Sequence, residues 1–259
     1  MKDVQSQSDT RKIPLQKVGV KGVKYPLTVL DKKYGTQRTV ARVDLFADLP
    51  HHFKGSHMSR FIAVFNQYHT DLTMKRFLAM LESIRESLEA ETAFAKVEFP
   101  YFMEKKAPVS GLVSMNEYQC SYWGEVSRRE SKYYVGVKVP VTTVCPCSKE
   151  ISDRGAHNQR GTVKVSVKLG PFFWIEDMIE AIESSASAPL YTLLKREDER
   201  YITETAYDNP VFVEDVVREV YKKVQNLKHF PWFSVEAENH ESIHNHSAYA
   251  YAQWPEIGE

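Results

Sequence analysis

Cysteine is scarce in this sequence, with three among 259 residues. So small and odd a count cannot build a disulfide framework, and it points to a reducing, cytoplasmic setting. A surplus of one charge is missing as well. The 34 basic and 34 acidic side chains cancel, which argues against a protein that coats nucleic acid or an anionic membrane, where a basic excess is expected. No run approaches the roughly 18 consecutive apolar residues of a membrane span. The opening lacks the apolar stretch of a secretory signal and reads as a flexible tail over residues 1–16. Low-complexity linkers are also absent. The chain does have enough apolar material for a sizeable core, at 42% hydrophobic and 26% charged, so it is not a disordered polymer. Its length suits one large domain or two modules of about 125 residues.

Periodicity separates strands from helices. Residues 37–46 alternate as a strand, and residues 72–90 place Met74, Phe77, Leu78, Leu81, Ile84 and Leu88 on one helical face, with Asp71 as N-cap. Strand patterns follow over 92–102 and 111–126. The second half has the same grammar. Residues 133–144 form a valine-rich strand, and 162–169 alternate Val163, Val165, Val167 and Leu169 with Lys164, Ser166 and Lys168. Helical patterns cover 175–182 and 212–224, and strands 233–238 and 248–254 close the chain. This order predicts an α+β protein of two tandem modules, residues 17–128 and 129–259, each an antiparallel sheet with helices on one face. Such sheets leave one face and their edges uncovered, and oligomerisation is one way to cover them.

Chemistry-bearing residues cluster in a few places. The stretch from Cys145-Pro-Cys147-Ser-Lys-Glu-Ile-Ser to Gly155-Ala-His157-Asn-Gln-Arg160-Gly161 connects two valine-rich strands. Its thiols and imidazole are soft and borderline donors suited to zinc or a similar ion. A Cys-x-Cys pair with no second pair fits an open catalytic site better than a closed structural one, while burial of the cysteines as small hydrophobes is an equal alternative on spacing alone. Between the last two strands, His240, His244 and His246 form a dense turn fit for proton transfer, metal binding or phosphate contact. His244 and His246, two apart, should point to one side. The charged run 195–200 reads as a solvated face. Glu214 falls at the start of an apolar helix, where it is either a capping acid or a carboxylate able to accept two hydrogen bonds from a guanidine-like edge. His51, His52, His57 and Arg60 precede the long helix in a loop, and Cys120 reads as packing.

Taken together, the two halves of the 145–161 stretch, His57-Met-Ser-Arg-Phe61, the run from Thr203 to Glu214 and Asp215, and the closing His244-Asn-His246 resemble the signature of the prokaryotic GTP cyclohydrolase IB family. The resemblance implies a tunnelling fold, with two fused units that assemble through their sheets into barrels as a homotetramer with interfacial sites. It implies hydrolysis of GTP to 7,8-dihydroneopterin triphosphate and formate, a step towards folate or a modified tRNA base, with neither nucleic acid nor membrane as partner. It also implies a divalent metal, zinc foremost with manganese or iron as the other ions, held by Cys145, His157 and a carboxylate matched to Glu199. Glu214 matches the acid that anchors guanine, and Cys145, Cys147, His244 and His246 match the reaction centre. Another tunnelling-fold enzyme acting on a related heterocycle, or a non-catalytic metal-binding module, are the other readings.

Overall fold

The computed structural model describes residue 5, residues 9–228 and residues 230–255. Seven of the sixteen residues of the expected tail, 1–4 and 6–8, lie outside them. The described chain runs β1 (Leu15–Asp31), β2 (Gly35–Leu49), α1 (Met58–Phe65), α2 (Met74–Ser87), β3 (Thr92–Lys106), β4 (Val113–Ser127), β5 (Ser131–Val144), α3 (Pro146–Ile151), β6 (Asn158–Lys168), α4 (Ile175–Glu183), β7 (Ala188–Pro189), α5 (Arg196–Asp208), α6 (Val213–Leu227), β8 (Trp232–His240) and β9 (Ser247–Trp254). Two strands, two helices and two strands therefore occur twice, with α3, β7 and α5 added in the second round. The α+β class read from the periodicity is the class observed. Two compact units are present, residues 1–100 with 121–135, and residues 101–120 with 136–259. The expected module boundary at 128/129 falls in the turn between β4 and β5, closed by Ser127 N–H donating to Glu130 O. No helix among the described residues is long and apolar enough to cross a membrane.

In the first unit, β1 and β2 form a long antiparallel hairpin that closes at Asp31↔Gly35, and β2 pairs with β3 from Arg42↔Glu98 to Ala47↔Ala93. Alternation sends Ala41, Val43, Leu45 and Ala47 to one face. Phe61, Phe65, Phe77, Met80, Leu81 and Ile84 of α1 and α2 are buried in the same core, each apolar side chain contributing on the order of 2 kcal/mol by leaving water. The long helix starts later than the periodicity suggested. Its N-cap is Thr73, whose side chain accepts from Arg76 N–H, and Asp71 faces Arg76 Nε at 3.8 Å. β1 and α1 were not apparent in the pattern. Only the end of β1 is buried and its ladder is irregular, which blurs the period of two.

In the second unit, β6 pairs with β8 from Gly161↔Asn239 to Lys168↔Trp232, β8 pairs with β9, and β7 adds to β5. Val163, Val165, Val167, Phe233, Val235 and Ala237 are buried in one core with Met178, Ile179 and Ile182 of α4 and Val216, Val217, Val220 and Val224 of α6. Three polar groups in that core satisfy one another, as burial requires. Lys105 Nζ lies 2.6 Å from Glu183 Oε1, and Tyr118 OH donates to the same oxygen. Cys120 is buried, and that burial pushes its thiol far above the usual range. β9 ends the strand order and exposes Tyr249 and Tyr251.

The charged run 195–200 is helical, and one of its acids is fully buried. Burial alone would raise the Asp198 carboxyl, but hydrogen bonds from Ser110 Oγ and from the N–H groups of Lys195, Ser110 and Val109 outweigh it and hold the group far below the ordinary carboxylate range. This clamp fixes the start of α5 to the β3–β4 connection. A depressed folded value stabilises the fold above the unfolded value of about 4, and that stability is lost as pH falls through the folded one. Asp198→Asn should lower the melting temperature by several degrees at pH 7. The gap to the parent chain should narrow as thermal melts are taken below pH 4.

Candidate functional site

Val144 ends β5, and Pro146 is the first residue of α3, where its missing N–H costs nothing and its fixed φ suits a helix. Cys145 stands between them. From there the chain makes an excursion that returns to its origin. Lys149 N–H and Ser148 Oγ both donate to Cys145 O, His157 N–H donates to Ser148 Oγ at 3.1 Å, and Cys145 N–H donates to His157 O at 3.1 Å. Gly155 turns the chain back at φ +136°, a conformation that side-chain-bearing residues rarely adopt. Two residues twelve positions apart thus become backbone neighbours. The segment read as a long connection contains a short helix and the first residues of β6.

The β6–β8 register then brings a second segment alongside. Gly161 pairs with Asn239, and a Cβ on Gly161 would meet Asn239 Oδ1 at 2.4 Å, so a side chain there would force the buried Asn239 side chain to shift. Beyond Asn239 the β8–β9 turn carries Glu241, His244 and His246. Glu241 Oε2 lies 4.0 Å from His157 Nδ1 and 3.9 Å from His244 Nδ1. The rings of His157 and His244 are 6.4 Å apart, and His244 and His246 stack with centroids 5.1 Å apart. Both rings of that pair do lie to one side. The Glu241 side chain is only 11% exposed while His244 is half-exposed. A carboxylate between two imidazoles can orient either one.

Two more helices frame this end of the unit. Val144, Ala188 and Ala206 form a small buried cluster against which Ala156 and Ile202 pack. Glu199 shares the helical stripe of Ile202 and Ala206, three and seven residues on. It lies in the first turn of α5 and is exposed. Val211 N–H donates to Val144 O, which ties the start of α6 to the residue before Cys145. Glu214 is the second residue of α6 and is exposed, with no hydrogen-bond partner among the described residues. The capping role falls to its neighbour, since Asp215 Oδ2 accepts from Phe212 N–H. Cys147 is exposed on α3. Lys149 Nζ is engaged with Tyr207 O at the C-terminal end of α5, where a cation is favoured.

A thiol, an imidazole and a nearby carboxylate have the donor chemistry of a zinc-class ion. Among the described residues of one chain, however, no three His, Cys, Asp or Glu side chains are grouped to hold a metal. The backbones of Cys145 and His157 are brought together, whereas Glu199 is tied to neither. Two residues near His157 carried no role in the sequence reading. Glu241 sits inside the histidine-rich stretch, and its signal was its place between His240 and His244. Gln159 sits inside the 155–161 stretch, two residues beyond His157 in β6.

Comparison with known proteins identifies the family. A model of the family described as "Type I GTP cyclohydrolase folE2" matches residues 1–250. The chain is 54% identical over 253 residues to "GTP cyclohydrolase FolE2" of Syntrophus aciditrophicus, covering 98% of this chain and 99% of that one. It is 52% identical over 255 residues to the protein of the same name from Syntrophotalea carbinolica, covering 98% and 96%, and 49% identical over 250 residues to that of Thermosipho africanus, covering 96% of each. Among solved structures, uricase from Arthrobacter globiformis superposes with a TM-score of 0.56 at 7% identity, covering 95% of this chain and 96% of that one. That likeness shows the fold alone, the tunnelling fold expected from the motifs. The chain belongs to the type I GTP cyclohydrolase FolE2 family.

Proposed function

We propose that this chain hydrolyses GTP to 7,8-dihydroneopterin triphosphate and formate, the first step of folate biosynthesis, as an enzyme of the prokaryotic IB type. What carries this reading is the gathering of Cys145, His157, Glu241, His244 and His246 at one end of the second unit, in a chain about half identical along its length to proteins named for that activity. Cys145 and His157 hold a divalent ion, zinc foremost with manganese or iron as the other ions. The carboxylate ligand is Glu199, with Glu241 as the nearer acid to His157. When bound, the ion supplies Lewis acidity that makes water a competent nucleophile near neutral pH.

The chain's own side chains do the remaining work. Glu214, left without a capping role, accepts guanine N1–H and its amino group as a bidentate pair. Holding the base this way presents C8 to the reaction centre, and orientation of that kind contributes several kcal/mol to lowering the barrier. His244 or His246 donates a proton to the ring nitrogen released when the C8 bond breaks, and Glu241 returns a proton-bearing imidazole to that role. A second hydrolysis frees C8 as formate. The ribose opens, rearranges and recloses on the pyrimidine with loss of one water, and Cys147 and the paired histidines carry those proton transfers.

The reading extends to assembly and setting. The exposed aromatic edge at β9 fits sheet-to-sheet association into barrels, and a homotetramer with interfacial sites supplies further side chains to each centre. The modules are residues 17–128 and 129–259, and the enzyme is cytoplasmic with neither nucleic acid nor membrane as partner.

Incubating the metal-loaded protein with GTP should release formate and, after oxidation, a fluorescent pterin, and absence of both sinks the reading. Glu214→Ala should lower kcat/KM for GTP by roughly 10²–10⁴-fold, since the guanine edge loses its partner, while bound metal stays near the parental amount. Loss of metal in that variant would count against the assignment. Chelation should abolish formate release before the chain unfolds, and zinc or manganese should restore it. Unfolding first would mark a structural site instead.

A further inference from the structure

His157 has two ring nitrogens, and only one can face the reaction centre as a lone pair. Its Nδ1 is surrounded by oxygen. Gln159 Oε1 lies 3.0 Å from Nδ1, and Glu241 Oε2 lies 4.0 Å from it. Gln159 is itself held, because its Nε2 donates to Thr143 Oγ1 at 2.9 Å. Thr143 is 0% exposed and Gln159 7% exposed, so neither side chain has water as an alternative partner. Rotating the Gln159 amide by half a turn would place its N–H₂ against Nδ1 and keep a hydrogen bond with the Thr143 hydroxyl. That arrangement would leave the Nδ1 lone pair facing the Glu241 carboxylate, a repulsive contact, whereas a proton on Nδ1 is attracted to both oxygens.

We infer that Gln159, backed by Thr143, is a positioning residue that holds the proton of His157 on Nδ1 and so presents Nε2 as the donor atom of the site. The relay runs from β5 to β6 beneath the backbone contact of Cys145 and His157. It sets both the tautomer and the plane of the ring. Partners of this kind orient a ligating histidine and raise its basicity, and their loss typically weakens metal affinity about 10–100-fold. The inference rests on the proposed function for its consequence, but the tautomer itself is measurable without turnover.

Solid-state NMR of the full-length protein, as purified and carrying ¹⁵N-labelled histidine, reads the proton directly. The His157 signal is identified by its disappearance in His157→Asn. The expected result is a proton-bearing Nδ1 and a bare or metal-bound Nε2 in the parent chain. Gln159→Leu should give a mixture of tautomers and bind zinc about 10–100-fold more weakly by competition with a chromogenic chelator. Gln159→Glu keeps an acceptor against Nδ1 and should retain both the parental signal and near-parental affinity. Thr143→Val, which removes only the outer hydroxyl, should give a smaller change in the same direction. A proton found on Nε2 of the parent chain overturns the inference, as does a Gln159→Leu protein with an unaltered signal. Should the parent show the Nδ1 proton yet release no formate from GTP, the cyclohydrolase reading fails and the role of Gln159 stands.

Discussion

The hydrogen bond from Cys145 N–H to the His157 carbonyl organises this site. It converts a separation of twelve residues into direct backbone adjacency, and the Ser148 hydroxyl locks it by accepting from His157 N–H and donating to Cys145 O. Backbone groups at the end of a strand must be satisfied somewhere. Here they are satisfied by the excursion's own far end, so the demand for hydrogen bonds and the adjacency of the Cys145 and His157 backbones are met by one arrangement. The helices are then attached to the same place. Val211 bonds to Val144 O, and Ala206 packs on Val144, so α5 and α6 are referenced to the residue before Cys145.

Buried polar contacts in the second unit do two kinds of work. Lys105, Glu183 and Tyr118 satisfy one another inside the core, and breaking such a pair from one side leaves an uncompensated charge, typically 3–5 kcal/mol. Asp198 and the Thr143–Gln159 pair instead lie close to site residues in sequence or space. Asp198 anchors the helix that bears Glu199, and Gln159 contacts His157 itself. Their contacts fix where these site residues stand.

Strands and helices with one buried face were legible because burial imposes a clean period, as in β6 and α6. Elements with little buried surface were not. α5 buries only Asp198 and Ala206, so its sequence looks like a solvated charge run, and most of β1 is not buried. The N-cap of α2 moved from Asp71 to Thr73 because helix starts depend on local geometry that periodicity does not resolve. At the site, the motifs named Cys145, His157, His244 and His246, but the roles of Glu241 and Gln159 depend on register. Glu241 approaches His157 only because Gly161 pairs with Asn239, and no spacing rule connects residues on different strands. Glu199 remains recognisable only by its motif, and in one chain it joins no group of three donors among the described residues.

The excursion from Cys145 to His157 is pinned at both ends while its far side reaches solvent, where Ile151 is 85% exposed. Variation along it should therefore be sharply uneven. Identity is free to drift at Asp153 and Arg154, which are exposed and lie between the two motif halves, but the number of residues is constrained by the bonds that join the two ends. Homologous chains should differ at these two positions and agree in the length of the loop.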